Sequence, residues 1–387
     1  MVVESKRVAT RFDVVLVSNG FQTEYEVGFA NGLARLGLRP VLVCSDKLPI
    51  DRLDLNVATI NLRGSQRSDR SKWAKTLNIL AYWRALLFML RTQPKPCVHL
   101  IGLFTLPSAW ASFAEAIGFR FSAHHFVLTV HNLLPHDAHS RLNHLLYGAI
   151  YRLAHTLVVH TPRMRDRLQG EFGISTNRIV VMEHGIDRLM YRHNTDVNWL
   201  ACRLDLPPGR PVMLFFGAVA RYKGLDTLVE ILLASSTKLD AVLVVAGQCR
   251  DTGLRQALTP GLQRLISENR ARWVDGFVPD EDVVNYFHGA DLLVMPYRHI
   301  DQSGVVFMAL STGLPVVATD VGSLADYIPL TGGCIVPVED DAALLAGISK
   351  VLASTIGQDR DARVDAARRF LWSETVRSVL HAYRDTP

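Results

Sequence analysis

The feature that most constrains this chain is a recurring pair: a short unbroken apolar run that ends in a polar loop, then a helical pattern. Asp13–Val17 is the first run, Ser18-Asn19-Gly20 the loop, and Phe29, Leu33 and Leu36 then share one helical face. Gly37 stops that helix and Pro40–Cys44 begins a second strand. A run without alternation suits a strand covered on both faces, as in parallel sheets. Further runs at Val98–Ile101, Phe126–Val130, Thr156–His160 and Ile179–Met182 continue the series. A second series starts at Pro211–Gly217 and takes in Ala241–Gly247, Arg272–Val274, Asp291–Met295 and Pro315–Ala318. Strand and helix alternating twice over predicts an α/β fold of two doubly wound domains. The polar, Pro- and Gly-bearing stretch between Asp187 and Arg210 is the expected boundary.

Composition narrows the partners. At 49% hydrophobic residues the chain has ample core, which excludes disorder. With 42 Lys+Arg against 37 Asp+Glu the formal charge is +5. That is too little to predict a nucleic-acid partner, but it keeps anionic ligands in view. The first residues, MVVESKRVATRFDVVLV, lack a signal peptide's apolar core and cleavage site, so secretion is not expected. Five widely spaced cysteines without a C-x-x-C pair suit small hydrophobes in a reducing compartment. The longest uncharged stretch, Cys97–Ala114, holds Pro107 and falls short of the ~20 residues that span a bilayer.

Chemistry is expected in the loops after the strands, because open α/β sheets bind ligands there. The strongest local signal is Phe216–Asp226: a strand ends at Gly217, and Arg221 and Lys223 follow just before an apolar helix. Free N–H groups at a helix start, joined by two cations, suit a diphosphate; a solvated basic loop is the alternative. A second loop, Pro296–Gln302, carries Arg298, His299 and Asp301, and Ser303-Gly304 then opens another helix, a second anion seat or simply a capped helix. In the first half, Thr129–Asp137 brings His131 and His136 after a buried strand, where they could move protons or bind hydroxyls. Their spacing with Asp137 invites a metal, but Pro135 places His136 in a loop rather than on a helix, and no metal is expected. Glu183–Asp187, with His184, forms a third polar turn.

Taken in order, these segments resemble the family-4 glycosyltransferases of the two-Rossmann GT-B architecture. The motifs are the N-terminal strand and loop, T-x-H at Thr129–His131, the turn at His184–Asp187, and G-x₅-K-G at Gly217–Gly224. Ala246-Gly247, the G-x-V-P turn at Gly276–Pro279, the block from Ser303 to Gly322, and Phe370–Glu374 follow. The resemblance implies two Rossmann-like domains facing each other across a cleft: residues 1–190 for the acceptor, 191–365 for a nucleotide-sugar, and a helix at 366–387 returning to the first domain. It also implies donor binding by Gly217, Arg221, Lys223, Gln302, Ser303, Gly304 and Val305, with Val306 adding a backbone N–H. His131 and Asp301 are implied as catalytic, and Asn19, Gly20, His136, His184 and His299 as sugar or acceptor contacts. A fold working without metal must meet the charge of the leaving diphosphate with cations and helix dipoles. The implied activity is retaining, metal-independent transfer from a nucleotide-sugar, with no cofactor, to a carbohydrate or polyprenyl-linked acceptor in surface polysaccharide synthesis.

Two features depart from the family pattern. Its paired glutamates fall on Ile300 and Met308, so contacts to the donor sugar and ribose are altered; Asp301 or His299 could replace the first from one residue away. The common Arg directly after the first Gly is Ala218, with Arg221 three residues later. Exopolysaccharide enzymes with a Q-S-G-V-V signature, as at Gln302–Val306, form a similar branch lacking the second Glu. A catalytically inactive binding partner, or a nucleotide-sugar epimerase on the same architecture, are the alternatives. The expected location is the cytoplasm. One further region, Arg67–Arg91, carries six cations against Asp69 and an apolar line of Trp73, Leu77, Leu80, Trp83, Leu87 and Leu90. That line predicts either a helix packed on the first sheet or contact with an anionic inner membrane surface.

Overall fold

The computed structural model describes residues 12–18, 23–65, 71–92, 96–103, 109–134, 140–186, 196, 198–234, 239–300, 302–355 and 360–384. The chain forms two compact units, Met1–Asp187 with Phe370–Pro387, and Arg188–Arg369.

The first unit is built on β1 (Val14–Val17), β2 (Pro40–Cys44), β3 (Ala58–Asn61), β4 (Cys97–Leu100), β5 (His125–Thr129), β6 (Thr156–Val159) and β7 (Ile179–Val181). They pair in parallel in the order β3-β2-β1-β4-β5-β6-β7. The helices between them are α1 (Thr23–Arg35), α2 (Lys72–Thr92), α3 (Ala109–Ser122), α4 (Arg141–Leu153) and α5 (Pro162–Phe172). Both sheet faces are covered. Val15 and Val17 pack with Leu86 and Leu90 of α2, Phe119 of α3, Ile150 of α4 and Leu168 of α5. On the other face, Val14 and Leu16 pack with Phe29 and Leu33 of α1 and with Trp372 and Val376. Opposite faces of one strand meeting two separate cores is why β1 reads as an unbroken apolar run.

The second unit contains α6 (Trp199–Leu204), β8 (Val212–Phe216), α7 (Leu225–Ala234), β9 (Val242–Ala246), α8 (Thr252–Ser267), β10 (Ala271–Val274) and α9 (Asp280–Gly289). It continues with β11 (Leu292–Met295), α10 (Gly304–Thr312), β12 (Val316–Thr319), α11 (Leu324–Tyr327), β13 (Cys334–Val336), α12 (Asp341–Thr355) and α13 (Asp361–Ala366). Its parallel sheet runs β10-β9-β8-β11-β12-β13. Both sheets therefore share the doubly wound order, with strand connection reversing beside β1 and beside β8.

Past the second unit the chain re-enters the first through α14 (Trp372–Thr375) and α15 (His381–Arg384). Ile186 N donates to Phe370 O at 2.6 Å, and Trp372 N donates to Ile186 O at 3.0 Å, so Leu371 pairs with Ile186 as a short parallel bridge.

Two findings correct the sequence reading. Strands β3 and β13 were not expected; both are sheet edges, β3 half-exposed with its apolar residues alternating and β13 an apolar run of only three residues, Cys334–Val336. The apolar line of α2 is split: Trp73 is 80% exposed, Leu77 63% and Leu80 61%, whereas Trp83 and Leu87 are half-buried and Leu90 is buried. The buried line is Tyr82, Leu86 and Leu90, of which only Leu90 belonged to the expected one. Spacing of four carries the buried contacts toward the C-terminal half, where α2 packs on the sheet.

Candidate functional site

In the second unit the loops after β8 and β11 lie side by side at the point where strand order reverses, the usual ligand position of such a sheet. Strand β8 ends at Gly217, whose φ of +87° is in the left-handed region that favours glycine. The chain then makes one 3₁₀ turn through Arg221–Lys223 before α7. That turn folds Lys223 back over the strand end: its Nζ donates to Phe216 O at 3.2 Å and lies 5.5 Å from the Tyr297 ring centre. A Cβ on Gly217 would sit 2.9 Å from the Nζ, so only glycine leaves the ammonium this place. Lys223 is 6% exposed, and burial lowers its pKa from 10.5 to about 8.

Opposite, α10 begins at Gly304. The N-cap residue Ser303 makes no side-chain cap; its hydroxyl partners the buried Tyr297 phenol instead. The first N–H groups of α10 are therefore not satisfied by their own cap, and a Cβ on Gly304 would meet nothing within 4 Å. Val305 lies close by, its Cγ2 3.9 Å from the Cβ position of Gly217. A buried ammonium and an open helix start around one strand end can take up anionic charge.

Arg221 points outward and pairs with Asp251 at 3.0 Å. Arg298, which the sequence reading gave no role, joins the two loops. It donates to both carboxylate oxygens of Asp226 at 2.9 Å and to Arg221 O at 2.5 Å, and its own N donates to Tyr222 O at 2.7 Å. His299 is exposed beside the Tyr222 ring, at 5.6 Å between centres. Gln302 is half-buried and its Nε2 is buried without a hydrogen-bond partner. Asp301 lies outside the described residues, as do Asn19, Gly20 and His136.

The first unit gathers histidines from four strands, three of them just past the strand ends. His131 follows β5; its Nε2 donates to Ile101 O at 2.8 Å and its Nδ1 lies 3.3 Å from His160 Nε2. His160 follows β6, where Thr161 caps α5 and Pro162 occupies its first position, turning the chain sharply. Its Nδ1 donates to Met182 O at 2.9 Å. His184 follows β7, with Nδ1 2.7 Å from Gly185 O. His99, in β4, bridges the Tyr383 hydroxyl and Thr129 Oγ1. The Tyr25 ring meets His131, His160 and His184 edge-on at 4.7, 5.4 and 5.3 Å. Burial holds these imidazoles neutral: it lowers His99 to about 3, and His131 and His184 to about 4, and takes His160 well below its ordinary value. With both rings neutral and each N–H given to a carbonyl, His131 Nδ1 and His160 Nε2 face each other as two acceptors, so His131 Nδ1 is the nitrogen to which a ligand hydroxyl could donate. His160 and His99 were missed; the readable signal for His160 was a polar residue directly after a buried strand. Among the described residues no group of three or more His, Cys, Asp and Glu side chains could hold a metal ion.

A family model described as "Glycosyl transferase 4-like domain" matches residues 22–185, and "Glycosyl transferases group 1" matches residues 210–354. Together they cover well over half of the chain. The chain belongs to the GT4-type glycosyltransferases of the GT-B fold. Among curated relatives, this GT4-type chain is similar to D-inositol 3-phosphate glycosyltransferase 1 of Catenulispora acidiphila, 29% identical over 61% of this chain and 59% of that protein. It is also similar to the lipopolysaccharide core biosynthesis mannosyltransferase LpsB of Rhizobium meliloti, 29% identical over 49% and 50%. The chain thus spans between half and three fifths of the length of these relatives. Solved structures share the fold: sucrose-phosphate synthase from Thermosynechococcus elongatus has a TM-score of 0.72 at 20% identity, covering 96% of this chain and 98% of that one. Anabaena HepE in complex with UDP has a TM-score of 0.71 at 15% identity, covering 95% and 99%.

Proposed function

We propose that the chain transfers a sugar from a nucleotide-sugar to a carbohydrate or lipid-linked oligosaccharide acceptor in surface polysaccharide synthesis. The observation that carries this reading is the buried Lys223 ammonium held against Gly217, facing the uncapped start of α10. Negative charge grows on the diphosphate as the glycosidic bond to it breaks, and fixed donors stabilise that charge without reorganising. On this reading Lys223 and the N–H groups of Gly304 and Val305 hold the diphosphate, with Gln302 Nε2 and His299 available to it or to the donor sugar. The LpsB and inositol-phosphate relatives support a glycoconjugate acceptor, and the UDP bound by HepE supports a nucleotide donor.

The proposed transfer is retaining and needs no divalent cation, the cationic role falling to Lys223 and α10; Asp301 or His299 would approach the sugar in place of the family's first Glu. The first unit, with its neutral His131, receives the acceptor. Five free cysteines, three of them buried, support a reducing compartment and hence the cytoplasm.

Lys223→Ala tests the reading. At subsaturating donor, turnover should fall by about 10²–10³-fold, the usual loss for a donor aimed at developing charge. Full turnover would show that the diphosphate lies elsewhere. Product anomers read by NMR, with and without a chelator, test retention and metal independence. A second reading, an inactive binding partner, is favoured by Ile300 and Met308 standing where the family has carboxylates. It predicts neither transfer nor donor hydrolysis with UDP-, GDP- or ADP-sugars in the presence of lipid-linked acceptors.

A further inference from the structure

We infer that the outer face of α2, α3 and α4 is a docking surface for an anionic lipid bilayer. These three helices lie on one side of the first sheet, since their inward residues Leu86, Phe119 and Ile150 share one core. Their outward residues are strongly apolar: Trp73, Leu77, Leu80 and Phe88 on α2 are 80, 63, 61 and 71% exposed, Trp110 on α3 59% and Leu145 on α4 70%. Scattered exposed hydrophobics are ordinary, but six on adjacent helices, with two Trp and a Phe, form a patch.

The charge on this face selects the occupant. Arg84, Arg91, Arg120 and Arg141 are exposed on the same three helices. Among the described residues from 71 to 153, Glu115 is the only acid. It is 1% exposed and accepts a hydrogen bond from the Tyr82 hydroxyl at 3.1 Å, so it contributes no negative charge outside. Apolar and aromatic side chains among cations without anions match the headgroup region of a bilayer containing acidic lipids. A second copy of this chain fits badly, because a two-fold pairing of the face would set arginines against arginines.

Strand direction adds a consequence. Each of these helices starts where a strand or its loop has ended, so Trp73, Trp110 and Arg141 lie toward the C-terminal edge of the sheet. That is the edge from which His131, His160 and His184 rise. A bilayer on this face lies beside that edge, within reach of a headgroup-linked acceptor; this last step alone rests on the proposed transfer.

Flotation of the full chain with phosphatidylcholine vesicles, with and without phosphatidylglycerol, tests the surface. Binding should require phosphatidylglycerol and weaken with salt. Trp73→Ser combined with Phe88→Ser should weaken it by at least about tenfold, as expected for withdrawing two large apolar side chains. Arg84→Glu with Arg91→Glu should remove the preference for the acidic lipid. Leu55→Ser, at a residue 93% exposed but outside these helices, should change nothing. Circular dichroism matching the parent shows that the variants fold. The inference is overturned if the parent ignores phosphatidylglycerol, or if Trp73→Ser/Phe88→Ser binds as the parent does. It is also overturned if the parent is a dimer that this double substitution dissolves. Transfer to a water-soluble acceptor, measured on the same variants, should persist, so the surface and the proposed activity can fail separately.

Discussion

Lys223 shows how one residue's burial becomes a measurable property. Its ammonium is protonated below a pKa of about 8 and loses its proton above it, well before an exposed lysine would. A diphosphate binds the protonated form. Affinity for UDP should therefore be constant at neutral pH and weaken as pH rises through about 8, by up to about tenfold per unit. Titration calorimetry between pH ~7 and ~9 reads this directly. Lys223→Arg should flatten the profile, because a guanidinium stays charged throughout. Lys223 was legible in the sequence, as a cation six residues after a strand-ending glycine. Its ring partner was not: Tyr297 lies more than seventy positions away, as does Arg298, which ties the same loop down through Asp226, and nothing in the local pattern of either announces the contact.

At the scale of elements, the seat of Trp372 carries most of what holds α14 to α1. Its ring is 2% exposed and lies against Gly28 and Gly185, where added Cβ atoms would come within 2.0 and 2.1 Å of ring atoms. The Tyr25 ring meets it edge-on at 4.8 Å. Trp372→Ala should lower stability by about 3–5 kcal/mol, the usual cost of deleting a buried large aromatic. Gly28→Ala should also destabilise, by about 1–3 kcal/mol, through overpacking against a ring that cannot move. Combining them should cost no more than Trp372→Ala alone, since the ring that the added methyl group would clash with is gone; thermal unfolding of the three variants measures the coupling. Elements differ in legibility for a physical reason. Strands buried on both faces, such as β1 and β8, announce themselves as apolar runs. Strand β3 sees solvent at the sheet edge and its composition follows that exposure, while β13 is apolar but only three residues long, too short a run to announce a strand. Helix α2 was readable as a helix but not for which side it buries, because apolar residues ring it almost completely.

For the whole molecule, the neutral histidines make stability depend on pH. An unfolded histidine takes up a proton near 6.5, whereas folded His99, His131 and His184 do so only near 3 to 4. The unfolded chain thus binds more protons between those values. The contribution is complete above 6.5 and is lost as pH falls toward 4, each histidine adding up to about 1.4 kcal/mol per pH unit to the slope. The midpoint of urea unfolding should hardly change from pH ~8 to ~7 and drop steeply from ~6.5 to ~5. All of these residues sit in the first unit, so a probe there should report the loss while the second unit's transition shifts less.

The return of the chain through α14 and α15 also bears on how the protein is made. The second unit is one continuous stretch, Arg188–Arg369, and can close as soon as that stretch has left the ribosome. The first unit cannot: Trp372, Val376 and Val379 belong to its core and are synthesised after the whole of the second. Until they arrive, Phe29, Leu33 and Leu16 on that face of the sheet lack their cover. The unit that begins the chain is therefore the last to be completed, and its unfinished face is exposed to chaperones and proteases while the other unit is synthesised.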